Sequence, residues 1–229
     1  MKILVLNGSP KGEKSDTLHI TRAFLDGMQS AGPQDITLVH VNERNIAFCT
    51  GCFVCKKNGG VCVLDDDMKT ILDAILKSDL LIFSFPLYSY GMPGALKNVI
   101  DRMMPLSSWN MVKNAEGKYG HRMQYDVDKL HYMMICGCGF PNSKHNFEGA
   151  VRQFTLKFPE RSTVVTVPES PMFNIPQAAQ FVAPRLLALK AAGAEYASTG
   201  ALSPETLQAI CSPMIPEEIY AQFANGERR

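Results

Sequence analysis

The chain has 229 residues, 46% of them hydrophobic and 20% charged, which is length enough to bury roughly 70% of the unfolded surface around one core. Its 23 basic residues stand against 22 acidic ones, so it has no basic field to gather nucleic acid or an anionic membrane. No apolar run reaches the roughly eighteen residues that span a bilayer, and Lys2 to Leu6 follow Met1 with no room for a charged and then apolar leader, so a soluble cytoplasmic protein with a single domain over 1–229 is expected.

Short β-branched or apolar runs at Ile3 to Leu6, Ile36 to Val41, Leu80 to Phe85, His131 to Cys136 and Thr163 to Val167 predict five strands. Helical patterns at Ser15 to Ser30, Asp67 to Lys77, Gly94 to Met103, Phe147 to Phe158 and Gln177 to Ala192 alternate with them. Asp65, Asp66 and Asp67 are expected in the first turn of the second helix, where the helix dipole favours acids. Strands apolar on both faces and separated by helices imply an α/β architecture, a doubly wound five-stranded parallel sheet with helices on both faces. Ligands of such sheets lie beyond the carboxyl ends of the strands, at the point where strand order reverses. An irregular insertion near 105–128, with Trp109, Tyr119 and Tyr125, is read either as a lid or subunit contact or as a local satellite core. From about residue 203 a C-terminal extension is expected to wrap the body or a partner.

After the first strand, Asn7 to Thr17 form a polar turn ending at a helix start. Backbone N–H groups there, the hydroxyls of Ser9, Ser15 and Thr17, and nearby Lys11 suit a phosphate monoester. Neither G-x-x-x-x-G-K-[ST] nor G-x-G-x-x-G can be placed on it. The plainer alternative is a capped helix with Ser15 as N-cap.

Four of the seven cysteines fall in Cys49-x2-Cys52-x2-Cys55-x6-Cys62. Without a secretory leader, thiols so close together point to metal or redox chemistry rather than disulfides. Four thiolates match the four irons of a [4Fe–4S] cube, with the bend at Gly59-Gly60 folding the last one back. Zinc also takes four thiolates, although usually as two pairs separated by a longer arm. The alternative is a loop of reduced, partly buried thiols. Lys56 and Lys57 beside Cys55 can lower a thiol pKa, but paired lysines are more often a solvated turn.

After the third strand, Pro86, Leu87, Tyr88, Tyr90 and Gly91 precede Pro93 and Gly94. Their prolines and glycines fix the backbone, and the two tyrosines offer flat faces able to stack on a planar ring, worth about 1 kcal/mol beyond area burial. The fourth strand ends in Cys136-Gly137-Cys138-Gly139-Phe140, where glycines let backbone N–H groups approach a ligand edge. A tight helix entry and a flexible turn are the plain alternatives. The five histidines share no ligand spacing, and His121-Arg122 in the insertion is the pair to watch for a nucleotide phosphate or substrate.

These motifs in order, Gly8-Ser9-Pro10 with Ser15-Asp16-Thr17, Cys49 to Cys55, Asp65 to Met68, and Pro86-Leu87-Tyr88 with Met92-Pro93-Gly94 and Leu96-Lys97 to Asp101-Arg102, resemble the NAD(P)H-dependent FMN reductase branch of the flavodoxin-like family. The cysteine segment resembles the iron–sulfur flavoproteins of that branch. The resemblance covers roughly residues 1–165. It implies that Ser9, Ser15 and Thr17 bind the FMN phosphate, with Lys11 and the backbone of Asp16 nearby. It further implies that Pro86 to Tyr88, Tyr90 and Gly91 flank the isoalloxazine, and that Cys136, Gly137, Gly139 and Phe140 lie along its pyrimidine edge. Where family members often carry Asn, this chain has Asp16, whose carboxylate is expected to turn away from the phosphate.

The function expected on this basis is an FMN-dependent oxidoreductase taking hydride from NAD(P)H and passing electrons to a small acceptor (a quinone, flavin, nitro or azo compound) or to a redox partner. No side-chain acid or base is required for the hydride step, so no catalytic residue is assigned. The alternatives are an iron–sulfur flavoprotein electron carrier and a thiol redox sensor. The near-neutral charge argues against an acidic carrier steered to basic partners. A homo-oligomer is expected.

Overall fold

The fold was analysed in a computed structural model that describes residues 1–113 and 117–226. Five parallel strands, β1 (Lys2–Asn7), β2 (Asp35–His40), β3 (Leu80–Pro86), β6 (His131–Gly137) and β7 (Ser162–Val167), form a sheet of order β2-β1-β3-β6-β7. A separate antiparallel pair, β4 (Ser107–Lys113) and β5 (Tyr119–Met123), falls between β3 and β6 in sequence. With that pair set aside, the order is the doubly wound 2-1-3-4-5, whose reversal lies between β1 and β3.

Period-two alternation explains the two cores. On β1, Leu4 and Leu6 face one side with Leu81, Phe83, Met134 and Cys136, covered by α2 (Met68–Leu76), α3 (Gly94–Asp101) and α4 (Glu148–Lys157). Ile3 and Val5 face the other with Ile82, Ile135 and Val165, covered by α1 (Asp16–Ala31), α5 (Ala179–Thr199), α6 (Pro204–Cys211) and α7 (Glu217–Gly226). Central strands buried on both faces lose the polar alternation of an exposed sheet. That is why they read as continuous apolar runs.

Each expected strand and helix is present, with ends shifted by one or two residues at most places. The fifth helix departs further, running seven residues past Ala192 to Thr199 and closing on Gly200 in the left-handed conformation (φ 74°). Three expectations need correction. Asp65 to Asp67 do not occupy the first turn of α2, which has no acidic residue; Asp66 and Asp67 instead accept hydrogen bonds from the backbone of Ala47 and Asn45. The 105–128 stretch is not irregular, since it carries the β4–β5 pair, although 114–116 lie outside the described residues. Nor is it a satellite core: Trp109 and Tyr119 are exposed, with Trp109 packed on Phe53 of the cysteine segment and Tyr125 reaching the carbonyls of Gly59 and Gly60.

The tail does pack on the body. Ile210, Ile215 and Tyr220 enter the second core. Buried Arg185 of α5 donates to the carbonyls of Ile210 and Ser212. Fully buried Glu169 accepts from the N–H groups of Met214 and Ile215, and its carboxyl is raised above the ordinary range by burial. Among the described residues no helix is long and apolar enough to cross a membrane.

Candidate functional site

The loop after β1 is organised by Asn7, which is fully buried. Its Oδ1 accepts from Ser9 N (3.1 Å), and its Nδ2 donates to Gly12 O (3.1 Å) and to His40 Nδ1 (2.9 Å). With Nδ1 accepting, His40 Nε2–H is left to donate to Glu13 Oε1 (2.7 Å). Arg22 and His40 hold the Glu13 carboxyl below its usual range. The turn is therefore pre-formed. Gly8 permits its close passage over α3, because a Cβ there would stand 2.8 Å from Leu96.

Ser9 and Ser15 are both buried. Ser9 Oγ accepts from Lys11 N (3.3 Å) and Ser15 Oγ from Leu18 N (3.2 Å), so Ser15 is indeed the N-cap of α1. Each hydroxyl still has its own hydrogen to donate. Thr17 differs: its Oγ1 is buried and, among the described residues, without a hydrogen-bond partner. It stands at the helix start, where the N–H groups of Asp16 and Thr17 have no intrahelical acceptor. Asp16 turns its carboxylate to Lys11 Nζ (2.7 Å) and Asn174 Nδ2 (2.6 Å). That turn neutralises Lys11, a pairing its position five residues earlier did not reveal.

Thr17 Oγ1 lies beside the end of β6. A Cβ on Gly137 would come within 2.9 Å of it and within 2.7 Å of Ser170 Cβ. The 138–140 turn is held by the segment after β7, through Cys138 N to Val167 O (3.0 Å), Ser170 N to Cys138 O (2.8 Å) and Glu169 N to Phe140 O (2.9 Å). Cys136 and Cys138 are buried, and burial pushes the Cys138 thiol up to about 11 and that of Cys136 well above its ordinary value. Their side chains belong to the core, leaving backbone and Phe140 to face the site. Glu169 and Ser170 were missed at the sequence level because a charged or polar residue after a strand carries no signal of burial.

In the loop after β3, Leu87 N donates to Gly137 O (2.7 Å), and Tyr88 and Gly91 exchange backbone hydrogen bonds around Ser89 and Tyr90, both at positive φ. This tight turn projects Tyr90 into solvent, where its ring stacks on Phe140 with centroids 6.0 Å apart and planes inclined by 13°. Tyr88 is also exposed. The structure thus brings together the hydroxyl loop, the tyrosine loop and the 137–140 turn. His121 and Arg122 lie on exposed β5.

The cysteines gather elsewhere. Cys49, Cys52, Cys55 and Cys62 line one small cavity of about 30 Å³ with Phe53, Arg102, Met104 and Pro105. Cys49 and Cys52 are on its exposed rim and Cys55 is buried. The Cys52 thiol is lowered by the Val54 N–H and the Thr50 side chain, whereas burial raises Cys55. Among the described residues no three of His, Cys, Asp and Glu converge closely enough to hold a single metal ion. Lys56 is not part of a solvated turn: it is buried and donates to Met104 O (2.8 Å) and to the carbonyl and Oγ (2.6 Å) of Ser107, pinning the cysteine segment to the start of β4.

A family model described as the flavodoxin-like fold matches residues 1–161, and the chain belongs to that family. It is similar to an iron-sulfur flavoprotein of Archaeoglobus fulgidus, 34% identical over 122 residues that make up 52% of each chain. It is also similar to FMN-dependent NADH:quinone oxidoreductase 1 of Pseudomonas fluorescens, 27% identical over 46% of this chain and 54% of that one. The chain spans about half the length of the curated relatives it matches. Among solved structures, an FMN-dependent NADH-azoreductase from Bacillus anthracis in complex with FMN superposes with a TM-score of 0.62 at 15% identity, over 86% of this chain and 99% of that one. An NAD(P)H:quinone oxidoreductase from Methanothermobacter marburgensis gives 0.59 at 18% identity, over 85% and 98%. At such identities the likeness concerns the fold.

Proposed function

We propose that the chain is an FMN-dependent oxidoreductase that takes hydride from NAD(P)H and passes electrons to a small acceptor such as a quinone or azo compound. The observation that carries this is the buried hydroxyl of Thr17, without a partner among the described residues, at a helix start beside the reversal of strand order. A buried hydroxyl without a partner costs about 1–3 kcal/mol. A phosphate at the helix start would relieve that cost and accept from the first-turn N–H groups. The names of the quinone and azo reductases among its relatives and neighbours agree with this reading.

Ser9, Ser15 and Thr17 would hold the phosphate, joined by the backbone of Asp16, with Lys11 contributing only as far as Asp16 releases it. Pro86, Leu87, Tyr88, Tyr90 and Gly91 would flank the ring, and Gly137, Gly139, Phe140 and the backbone of Cys136 would border its pyrimidine edge. Bound there, FMN would supply the hydride acceptor and the electron relay. The protein's part is to seat the ring between the two loops and direct N–H groups at its polar edge. A homo-oligomer is part of the proposal, with exposed Trp109, Met111 and Tyr119 as contact surface.

A second reading, the iron–sulfur flavoprotein, is favoured by the four thiols on one cavity. They supply the donor set of a [4Fe–4S] cube.

Anaerobic purification followed by flavin, iron and sulfide assays separates the two readings, and stopped-flow mixing with NADH and NADPH tests the reaction. We expect FMN to bind more tightly than riboflavin and to bleach on mixing. Equal affinity for the two flavins, or no bleaching with either nucleotide, would overturn the reductase assignment.

A further inference from the structure

Arg102 is only 1% exposed and lines the four-cysteine cavity. Its Nη1 donates to Asp66 Oδ2 (2.7 Å) and Ala47 O (2.6 Å), and its Nη2 to Asp66 Oδ1 (2.9 Å) and Cys62 Sγ (3.6 Å). Its Nε–H is buried and, among the described residues, has no partner. Burying an arginine is costly unless its charge is matched. Asp66 matches it, with its own carboxylate fixed further by the N–H groups of Ala47 and Met68.

That pair would suffice to pin Ala47. It does not account for a fourth donor on a cysteine sulfur, nor for the fifth, on Nε, left unpaired among the described residues on a residue of the cavity wall. Both are donors that a cluster of inorganic sulfides and thiolates accepts, and such hydrogen bonds raise a cluster's reduction potential by stabilising its more negative form.

We propose that Arg102 is a positioning residue of the four-cysteine pocket, orienting Cys62 and setting the reduction potential of a cluster held there, with Asp66 acting against it as a built-in counter-charge. This rests on the iron–sulfur reading above. The sign follows from the charges. Reduction adds one electron to the cluster, so loss of the guanidinium disfavours the reduced state, whereas loss of the Asp66 charge leaves the guanidinium unopposed and favours it. Lysine cannot replace arginine here, since one ammonium cannot span the Asp66 fork and Cys62 together.

The test is anaerobic reconstitution of the full chain with ferrous iron and sulfide, followed by mediated dithionite titration of the one-electron couple by electron paramagnetic resonance. We expect about four irons per chain in wild type, Arg102→Gln and Asp66→Asn. We expect the reduction equilibrium to fall about tenfold in Arg102→Gln, or 59 mV for one electron, and to rise in Asp66→Asn. Opposite shifts from two halves of one ion pair are not what a purely structural pair gives, because both variants would then simply lose iron together. Four irons with unmoved potentials would overturn the role of Arg102 alone. A wild-type chain that takes up no iron would overturn the cluster reading and this role with it. Should the variants not fold, nitrogen-15 arginine in the wild-type chain decides: nitrogen coupling to the reduced cluster supports the contact, and its absence overturns it.

Discussion

Thr17 carries a hydroxyl that the fold buries and that has no partner among the described residues, so its contribution to folding and to binding should have opposite signs. Thr17→Val keeps the shape and removes the unpaired group. We expect the variant's thermal midpoint without added flavin to hold or rise, while FMN affinity falls by about 1.5–3 kcal/mol, the worth of a hydrogen bond to a charged group. Calorimetry and flavin fluorescence quenching give the two readings, and undiminished affinity would sink the phosphate role. Asp66 behaves differently because its pairing with Arg102 also stabilises the fold. Arg102 holds the Asp66 carboxyl below its ordinary value of 3.8, so near that value the unfolded chain binds the proton first. The pair's stabilisation is therefore complete above about pH 4 and is lost as pH falls through the lowered native value. Urea melts across about pH 2–6 should show this acid-side slope, and Asp66→Asn should flatten it.

Helices α1 and α5 cross almost backbone to backbone. A Cβ on Gly27 would fall 1.9 Å from Lys190 O, and one on Gly193 would fall 1.8 Å from Phe24 O. Neither glycine has positive φ; what each supplies is the missing side chain. In an isolated helix Gly193→Ala would stabilise by about 1 kcal/mol. Here it has to push the two helices apart, and overpacking of that kind typically costs about 1–3 kcal/mol. We expect net destabilisation, read as a lower urea midpoint at unchanged slope, and a midpoint that rises would refute the close crossing. This element pair also carries Thr21, whose hydroxyl shares a 2.7 Å hydrogen bond with Ser84 of β3. A shifted α1 would therefore disturb the hydroxyl loop at its start as well.

Across the whole molecule, the tail beyond residue 203 lies outside the family match at 1–161 yet closes the second core. Its removal would strip Arg185 of its acceptors on Ile210 and Ser212 and Glu169 of its donors on Met214 and Ile215. A buried charge left without its partner costs about 3–5 kcal/mol. A chain ending at 202 should thus melt at a markedly lower temperature. Because Glu169 N also holds Phe140 O, FMN affinity should fall along with stability. Retained affinity in the truncated chain would show that the 137–140 turn stands without the tail.

Much of this architecture was legible from residue order alone. Five apolar runs alternating with amphipathic stretches fix a parallel sheet, because strands covered on both faces have no polar face to display. Loop composition was legible too: Gly8, Ser9, Ser15 and Thr17 after one strand, Tyr88 and Tyr90 after another, and four cysteines within fourteen residues at 49–62 are local patterns. What the sequence could not provide is which polar groups meet across long separations. Arg102 finds Asp66 across 36 residues and Cys62 across 40, and Asn174 reaches Asp16 across 158. Burial changes such residues most: Lys56, Arg102, Glu169 and Arg185 carry the same charge anywhere on the chain, and only the packing around each one decides whether it sits in water or must be matched atom by atom. Local propensity and periodicity therefore determined the elements and their layering, whereas the tertiary structure alone decided the charge pairing, the glycine crossing of α1 and α5, and the orphaned hydroxyl of Thr17. Those depend on desolvation and close contact between distant segments, and neither is a property of any short stretch of sequence.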